Sequence, residues 1–162
     1  MMKALLPAAF VASTLAIAPA AMAATTNNTD TTAIDGTYLL IQDNEAQRVL
    51  ALKPGGSASL ISQGQQVRGY TSGLGSWAMT GPDSARVTVI DFNDPANEAD
   101  GNGASQIVFD LIFSDAVDGQ FHSVSGHFSG QVFARGQNPL AADALPARTF
   151  GTRFDGMRVG VL

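Results

Sequence analysis

The chain has 162 residues, a formal net charge of −5 at pH 7 and no cysteine. This length predicts a single domain, and the lack of cysteine excludes disulfides, thiolate metal sites and cysteine nucleophiles. The acidic balance disfavours binding to nucleic-acid phosphates and to anionic lipid headgroups. A domain without disulfides must depend on its own hydrophobic core, and a chain of this length can form one.

The N-terminus has the pattern of a secretory signal peptide. Residues 1–3 are Met-Met-Lys, residues 4–18 are almost wholly apolar, and Ala21-Met22-Ala23 fits the small-x-small rule of signal peptidase. The apolar run is shorter than the roughly 20 residues of a membrane span. We therefore predict a cleaved signal peptide over 1–23, export to the periplasm or the extracellular space, and no membrane span in the mature chain. Loss of Lys3 takes the net charge from −5 to −6.

A polar leader and then a series of short strands follow the cleavage site. Residues 24–35 are rich in Thr, Asn and Ala without periodicity, which is typical of a flexible leader. From Gly36 onward, alternating apolar and polar residues separated by turn signals predict β-strands. These strands are expected over 37–42, 48–53, 58–62, 76–80, 85–92, 105–114, 120–135 and 149–161.

About eight sequential strands predict an all-β domain over 36–162. An antiparallel up-and-down barrel is favoured because closure removes exposed strand edges. Glycines inside the long strands permit the bends that a small barrel requires. A two-sheet β-sandwich is the alternative.

The hairpin in the middle of the chain holds the only tryptophan. Its turn is expected at 81–84, where Gly-Pro-Asp-Ser has the composition of a tight turn. Pairing Thr80 with Ala85 across this turn places Trp77 opposite Thr88. That register predicts a core face made of Trp77, Met79, Thr88, Ile90 and Phe92.

Alternation along the other strands predicts which side chains line the barrel interior. The predicted ligand-binding residues are Tyr38, Trp77, Met79, Ile90, Phe109, Leu111 and Phe128. The wider lining is expected to include Leu39, Ile41, Phe113 and Val132. Many of these side chains could equally serve only to fill the core.

No established catalytic or metal-binding motif is present. The chain has neither a Gly-x-Ser-x-Gly elbow nor a phosphate-binding loop. The acid–base candidates are His127 and Asp110, whose pKa would rise if it faced a cavity and which is an ordinary solvated carboxylate if it faces outward. Asp94, Glu98 and Asp100 offer oxygen ligands in an acidic loop, but their spacing does not match an EF-hand. Neither a metal nor a cofactor is therefore predicted.

A family resemblance follows from the order of short motifs. Gly75-Ser76-Trp77, Thr80-Gly81, the alternating strand 87–92 and the closing Gly151-Thr152-Arg153 resemble small secreted bacterial proteins with a lipocalin-like (calycin) barrel. The resemblance covers about residues 36–159. Allene oxide cyclase-like barrels are a more distant likeness, and no catalytic motif of theirs is found in this chain.

The resemblance has one structural implication that concerns named residues. In lipocalins a Gly-x-Trp lies on the first strand and an arginine of the last strand packs over that tryptophan. The first strand here has Gly36-Thr37-Tyr38 instead, and the Gly-x-Trp lies in the middle of the chain. The resemblance therefore implies that Arg153 or Arg158 stacks on Tyr38 or Trp77, as a structural contact.

Three functions are compatible with these expectations. The leading hypothesis is a barrel that binds a small apolar molecule, or that persists as a structural envelope protein. The second is an isomerase or cyclase that uses Asp110 or His127 as its acid–base group. The third is an interaction module, for example an inhibitor, that presents its loops to another protein.

Overall fold

The computed structural model describes residues 33–93 and 103–160. The predicted signal peptide, residues 24–32 of the predicted leader, and the three candidate metal ligands Asp94, Glu98 and Asp100 lie outside these residues.

The described residues form eight antiparallel strands and one short helix. The strands are β1 (Gly36–Gln42), β2 (Gln47–Leu52), β3 (Ser57–Ser62), β4 (Gly73–Gly81), β5 (Ser84–Asn93), β6 (Gly103–Val117), β7 (Gln120–Phe133) and β8 (Arg148–Arg158), and the helix α1 (Gln65–Arg68) lies between β3 and β4. Each strand pairs with the next, and β8 pairs with β1 to close the barrel. The predicted up-and-down barrel is confirmed, and the sandwich alternative is wrong.

The two ends of the barrel differ in their connections. Short turns after β2, β4 and β6 meet at one end, which we call the turn end. The connections 43–46, 63–72 and 134–147 meet at the other end, which we call the loop end, and the last two of them are the long ones.

Alternate side chains fill the middle of the barrel. Five of the strands contribute the following residues, each at most 2% exposed: Leu40, Leu50, Leu60, Val87, Val89, Ile107, Phe109 and Leu111. The Phe109 ring lies 5.4 Å from the Phe128 ring and 5.9 Å from the Phe154 ring, centroid to centroid. The predicted core face of β6 is confirmed, and its side chains fill the middle of the barrel.

Glycines of β7 make room for phenylalanines of β8. Gly126 is paired with Phe154, and Gly130 is paired with Phe150. A Cβ atom at position 130 would overlap the Phe150 ring. Because the missing side chains on one strand are replaced by rings from the next, the interior is filled despite the glycines.

Arg158 closes the turn end. Its Cζ atom lies 5.2 Å from the centroid of the Tyr38 ring. Its Nη2 donates to the Tyr38 hydroxyl and to the Ala33 carbonyl, both at 3.1 Å, and its Nε donates to the Phe121 carbonyl at 2.8 Å. The stack implied by the lipocalin resemblance is thus present between Arg158 and Tyr38, whereas Arg153 is exposed on the outer wall.

Two residues that the sequence assigned to the leader belong to the barrel. Ile34 is buried, and its carbonyl accepts a hydrogen bond of 2.8 Å from the Tyr38 hydroxyl. The Ala33 N–H donates to the Gly119 carbonyl at 2.8 Å. The ordered fold therefore starts before Gly36 and covers the turn end.

The register of the central hairpin differs from the prediction by one residue. Met79 pairs with Ala85 and Trp77 pairs with Val87, because an irregularity between Met79 and Gly81 removes Thr80 from the ladder. A shift of one residue moves every side chain of the partner strand to its other face. The prediction was therefore wrong for β5: the alternate residues Thr88, Ile90 and Phe92 lie on its outer face.

The prediction was also wrong for the inward face of β1. Tyr38 and Leu40 are buried, so Leu39 and Ile41 lie on the outer face. Residues 38–41 are all apolar, and an apolar run of this kind fits either choice of inward face. The consequence is an apolar patch on the outside of the barrel.

Candidate binding site at the loop end

The predicted ligand-binding residues do not form a single site. Phe109 and Leu111 fill the middle of the barrel, and Tyr38 lies under Arg158 at the turn end. Ile90 faces outward on β5. Of the predicted set, Phe128 is the residue that reaches the polar layer described below.

Trp77 and Met79 lie toward the turn end of β4. Trp77 is half-buried, packs against the core, and its indole N–H donates to the Lys53 carbonyl at 3.0 Å. Met79 pairs with the buried Ala85 but is itself 40% exposed. Neither residue belongs to the polar layer at the loop end that is described below.

The acid–base candidates Asp110 and His127 lie together on the outer wall. They are paired across β6 and β7. His127 Nε2 is 3.3 Å from one carboxylate oxygen of Asp110, and Arg86 Nε is 2.7 Å from the other. The alternative in which Asp110 faces a cavity is wrong, and such exposed ion pairs contribute little to stability.

The polar side chains of the interior collect at the loop end. They form a layer that we call the polar layer, made of Gln42, Arg48, Ser62, Asp91 and Ser105. Strand alternation explains their direction, because Arg48 precedes the buried Leu50 by two residues and Asp91 follows the buried Val89 by two.

Arg48 lies over the aromatic ring of Phe128. Its Cζ atom is 4.5 Å from the centroid of the Phe128 ring, and that ring is 6.1 Å from the half-buried Phe150 ring. Arg48 Nη1 donates to the Ser62 hydroxyl at 2.9 Å. Its Nε is buried and has no hydrogen-bond partner. Burial lowers the pKa of the guanidinium from its usual value, although arginine stays charged at neutral pH.

Asp91 is the other residue of the layer that has a buried polar atom without a hydrogen-bond partner. The residue is 5% exposed, and its Oδ1 is buried without a partner. Burial raises the pKa of the carboxyl, while the Ser105 hydroxyl and Arg48 act in the opposite direction. Arg48 and Asp91 make no ion pair within 4.0 Å, although each is close enough to change the pKa of the other.

The connection between β3 and β4 is tied down beside the polar layer. Tyr70 forms an isolated bridge with Asn93, and the Thr71 N–H donates to the Phe92 carbonyl at 2.9 Å. Asn93 in turn donates to the Ser105 hydroxyl at 2.6 Å. The backbone around Asp91 is therefore held from both sides, and its carboxyl has a defined direction.

The polar layer contains one donor and one acceptor that lack a partner. Arg48 Nε–H is a free donor and Asp91 Oδ1 is a free acceptor. A buried polar atom without a partner costs about 1–3 kcal/mol, so a ligand that satisfies both atoms gains binding energy there. Within residues 33–93 and 103–160, no group of three His, Asp or Glu side chains is placed to hold a metal ion.

The pKa of Asp91 leads to a prediction about stability. Because the folded state raises this pKa above 3.8, the carboxyl holds its proton more tightly in the folded chain than in the unfolded one. Its contribution to stability is present below pH 3.8 and is lost as the pH rises through the folded pKa. Asp91→Asn has no carboxyl to titrate at this position. The free energy of unfolding of the variant, relative to wild type, should therefore increase as the pH rises.

Urea unfolding of both proteins over a pH series measures this difference. Asp143→Asn, at an exposed position between β7 and β8, is the control and should follow the wild type. If the difference in the free energy of unfolding between Asp91→Asn and wild type stays constant with pH, or changes in the opposite direction, the result would contradict a raised pKa of Asp91.

Comparison with known proteins identifies no family for this chain. The chain matches no family model, no curated protein and no solved structure. Among the described residues, no helix has the length and hydropathy needed to cross a membrane. The function must therefore be argued from the geometry of the loop end.

Proposed function

We propose that the protein is an exported, lipocalin-like barrel that binds a small amphipathic molecule at its loop end. One observation carries the proposal: Arg48 Nε and Asp91 Oδ1 are both buried in the polar layer and both lack a partner. Buried polar groups in folded proteins are nearly always hydrogen-bonded. A ligand that supplies the missing partners accounts for this pair.

Because the middle of the barrel is filled, we favour a ligand site at the loop end and not one in a central lumen. Phe109, Leu111 and Val87 occupy the middle of the barrel and are at most 2% exposed. Arg158 and Tyr38 close the turn end. An apolar ligand in the middle of the barrel would need space that these side chains fill, and we therefore assign the ligand to the polar layer.

The chemistry of the layer favours a neutral, planar head group. Arg48 and Asp91 carry opposite charges, so a carboxylate attracted by one is repelled by the other. An amide offers a carbonyl oxygen to Arg48 Nε–H and an N–H to Asp91 Oδ1. The rings of Phe128 and Phe150 provide a flat apolar surface for the rest of the molecule.

The place of the protein in the cell follows from the predicted signal peptide. Cleavage after residue 23 would release the barrel into the periplasm or the extracellular space. A chain without cysteine is folded there by its core alone.

Titration with benzamide, followed by NMR, tests the proposal. Benzamide has a planar amide and an aromatic ring, and a fragment of this size is expected to bind with a Kd on the order of 1 mM. Arg48→Met keeps an unbranched apolar stem over Phe128 but has no Nε–H, and it should weaken binding about tenfold. The matched control is Arg153→Met on the outer wall, which should leave the affinity unchanged.

Toluene serves as the apolar comparison in the same titration. Saturable binding of benzamide that Arg48→Met weakens and Arg153→Met does not supports the proposal. Equal binding of toluene and benzamide, or the absence of saturable binding, would overturn it. Native mass spectrometry of protein purified from its own host then identifies the mass of the natural ligand.

A further inference from the structure

The side chain of Tyr70 lies on the inner side of the barrel wall, above the polar layer. Asn93 follows Asp91 by two residues on β5 and shares its inward face, and the Asn93 amide donates to the buried Ser105. Tyr70 is in register with Asn93, and registered neighbours place their side chains on the same face. Tyr70 therefore faces inward, and its backbone lies about 7 Å nearer to the loop end than that of Asp91.

Tyr70 occupies a gap in the wall between the two unpartnered atoms of the polar layer. β4 begins at Gly73, which pairs with Leu60, so this strand does not reach the level of the polar layer. Tyr70 takes its place next to β5. Around the barrel, Tyr70 therefore lies between Arg48 of β2 and Asp91 of β5.

Two further observations place the Tyr70 phenol near Arg48. Tyr70 is half-buried, whereas its chain neighbours 66–68 and 71–72 are exposed. Burial lowers the pKa of the Arg48 guanidinium, and the next largest influence on that pKa is Tyr70, which raises it. Because an influence between two charges falls with distance, the two side chains are neighbours.

The connection between β3 and β4 is held in place without the Tyr70 hydroxyl. The Gln65 side chain accepts a hydrogen bond of 3.1 Å from the Ser62 N–H. The Thr71 N–H donates to the Phe92 carbonyl at 2.9 Å, and the Thr71 hydroxyl accepts from the Phe92 N–H at 3.1 Å. These other groups fix the connection on both sides, so the phenol can serve a ligand.

We propose that Tyr70 is a specificity-determining residue of the loop-end site, and that its hydroxyl donates to the carbonyl oxygen of a bound amide. This inference rests on the proposed function, in which Arg48 Nε–H binds the same oxygen and Asp91 binds the amide N–H. A carbonyl oxygen has two lone pairs, so it accepts from Arg48 and Tyr70 together. The ligand class is therefore that of neutral carboxamides, lactams and ureas.

Tyr70→Phe tests the contribution of the hydroxyl to binding. The variant keeps the ring and should weaken benzamide binding about fivefold, the effect of losing one neutral hydrogen bond. Tyr38→Phe is the matched control, because it removes the other tyrosine hydroxyl of the chain, which donates to the Ile34 carbonyl at the turn end. It should leave the benzamide affinity unchanged, and circular dichroism verifies the fold of both variants.

The two tyrosines of the wild type provide a second readout that requires no variant to fold. With tyrosine labelled with carbon-13 at Cζ, the NMR spectrum contains one signal from Tyr38 and one from Tyr70. Benzamide should shift the Tyr70 signal and saturate with the Kd of the titration. The Tyr38 signal should stay in place.

Three results would overturn the role of Tyr70. Benzamide binding that Arg48→Met weakens and Tyr70→Phe leaves unchanged would do so, and the binding site itself would stand. A Tyr70 signal that does not move at saturating benzamide would have the same meaning. The absence of saturable benzamide binding to the wild type would overturn both the role of Tyr70 and the proposed function.

Discussion

Phe109→Ala should lower the free energy of unfolding by about 3–5 kcal/mol, the usual cost of removing a buried aromatic ring. Phe109 is fully buried, and its ring packs between those of Phe128 and Phe154. These neighbours belong to β7 and β8, whose backbones are fixed by the closed barrel. The cavity therefore cannot collapse easily, and the loss should be near the upper part of the range.

Urea unfolding of the mature chain measures this loss, with Ile112→Ala as the control on the same strand. Ile112 faces outward and is exposed, so its substitution should change the free energy of unfolding by no more than about 0.5 kcal/mol. A loss below about 1 kcal/mol in the free energy of unfolding for Phe109→Ala would indicate open space in the interior. A ligand site in the middle of the barrel would then be favoured over one at the loop end.

Arg158→Met should destabilise the barrel by about 2–3 kcal/mol, because it removes hydrogen bonds from a charged donor. The carbonyls of Ala33 and Phe121 lose the guanidinium, and the Tyr38 ring loses its cation. The residues before β1 are held by the same contacts. Hydrogen exchange at the Ala33 amide should therefore accelerate more than exchange at the core strands.

Arg153→Met separates this effect from a general loss of positive charge. Arg153 lies on the same strand but is exposed on the outer wall, and its substitution should be close to neutral. Equal losses for Arg158→Met and Arg153→Met would show that the contacts at the turn end contribute nothing specific.

Much of this architecture follows from short-range patterns. Each observed strand lies within a few residues of a predicted one, because turn residues such as Pro54-Gly55-Gly56 and Asp118-Gly119 separate the apolar stretches. On β6 the alternation is clear, since Asp110 interrupts one face while Ile107, Phe109 and Leu111 continue the other. Where one face is clearly apolar, the inward direction can be predicted.

Two side-chain directions could not be predicted, for a physical reason in each case. Residues 38–41 of β1 are apolar on both faces, so alternation alone does not identify the buried one. In the central hairpin the removal of Thr80 from the ladder changes the register by one residue. Such an irregularity depends on the paired strand and the turn together, and neither segment shows it alone.

The candidate site was missed because its residues are charged. Arg48 and Asp91 were not assigned to the interior, since charged residues are mostly exposed. Yet Arg48 shares a face with Leu50 and Leu52, and Asp91 shares a face with Val87 and Val89. The sequence signal for this site was a charged residue in line with the buried face of a strand, at the end of that strand. Such residues mark the loop end of the barrel.

The Arg48 Nε–H resonance provides the most direct test of the ligand site. Its Nε is buried and unpartnered, so the proton should exchange slowly enough with water to be seen in a proton–nitrogen correlation spectrum. Addition of benzamide should shift this resonance and saturate, with a parallel change at the carboxyl of Asp91, while toluene leaves the resonance in place. An Arg48 Nε–H signal that does not move when benzamide binds would contradict the account.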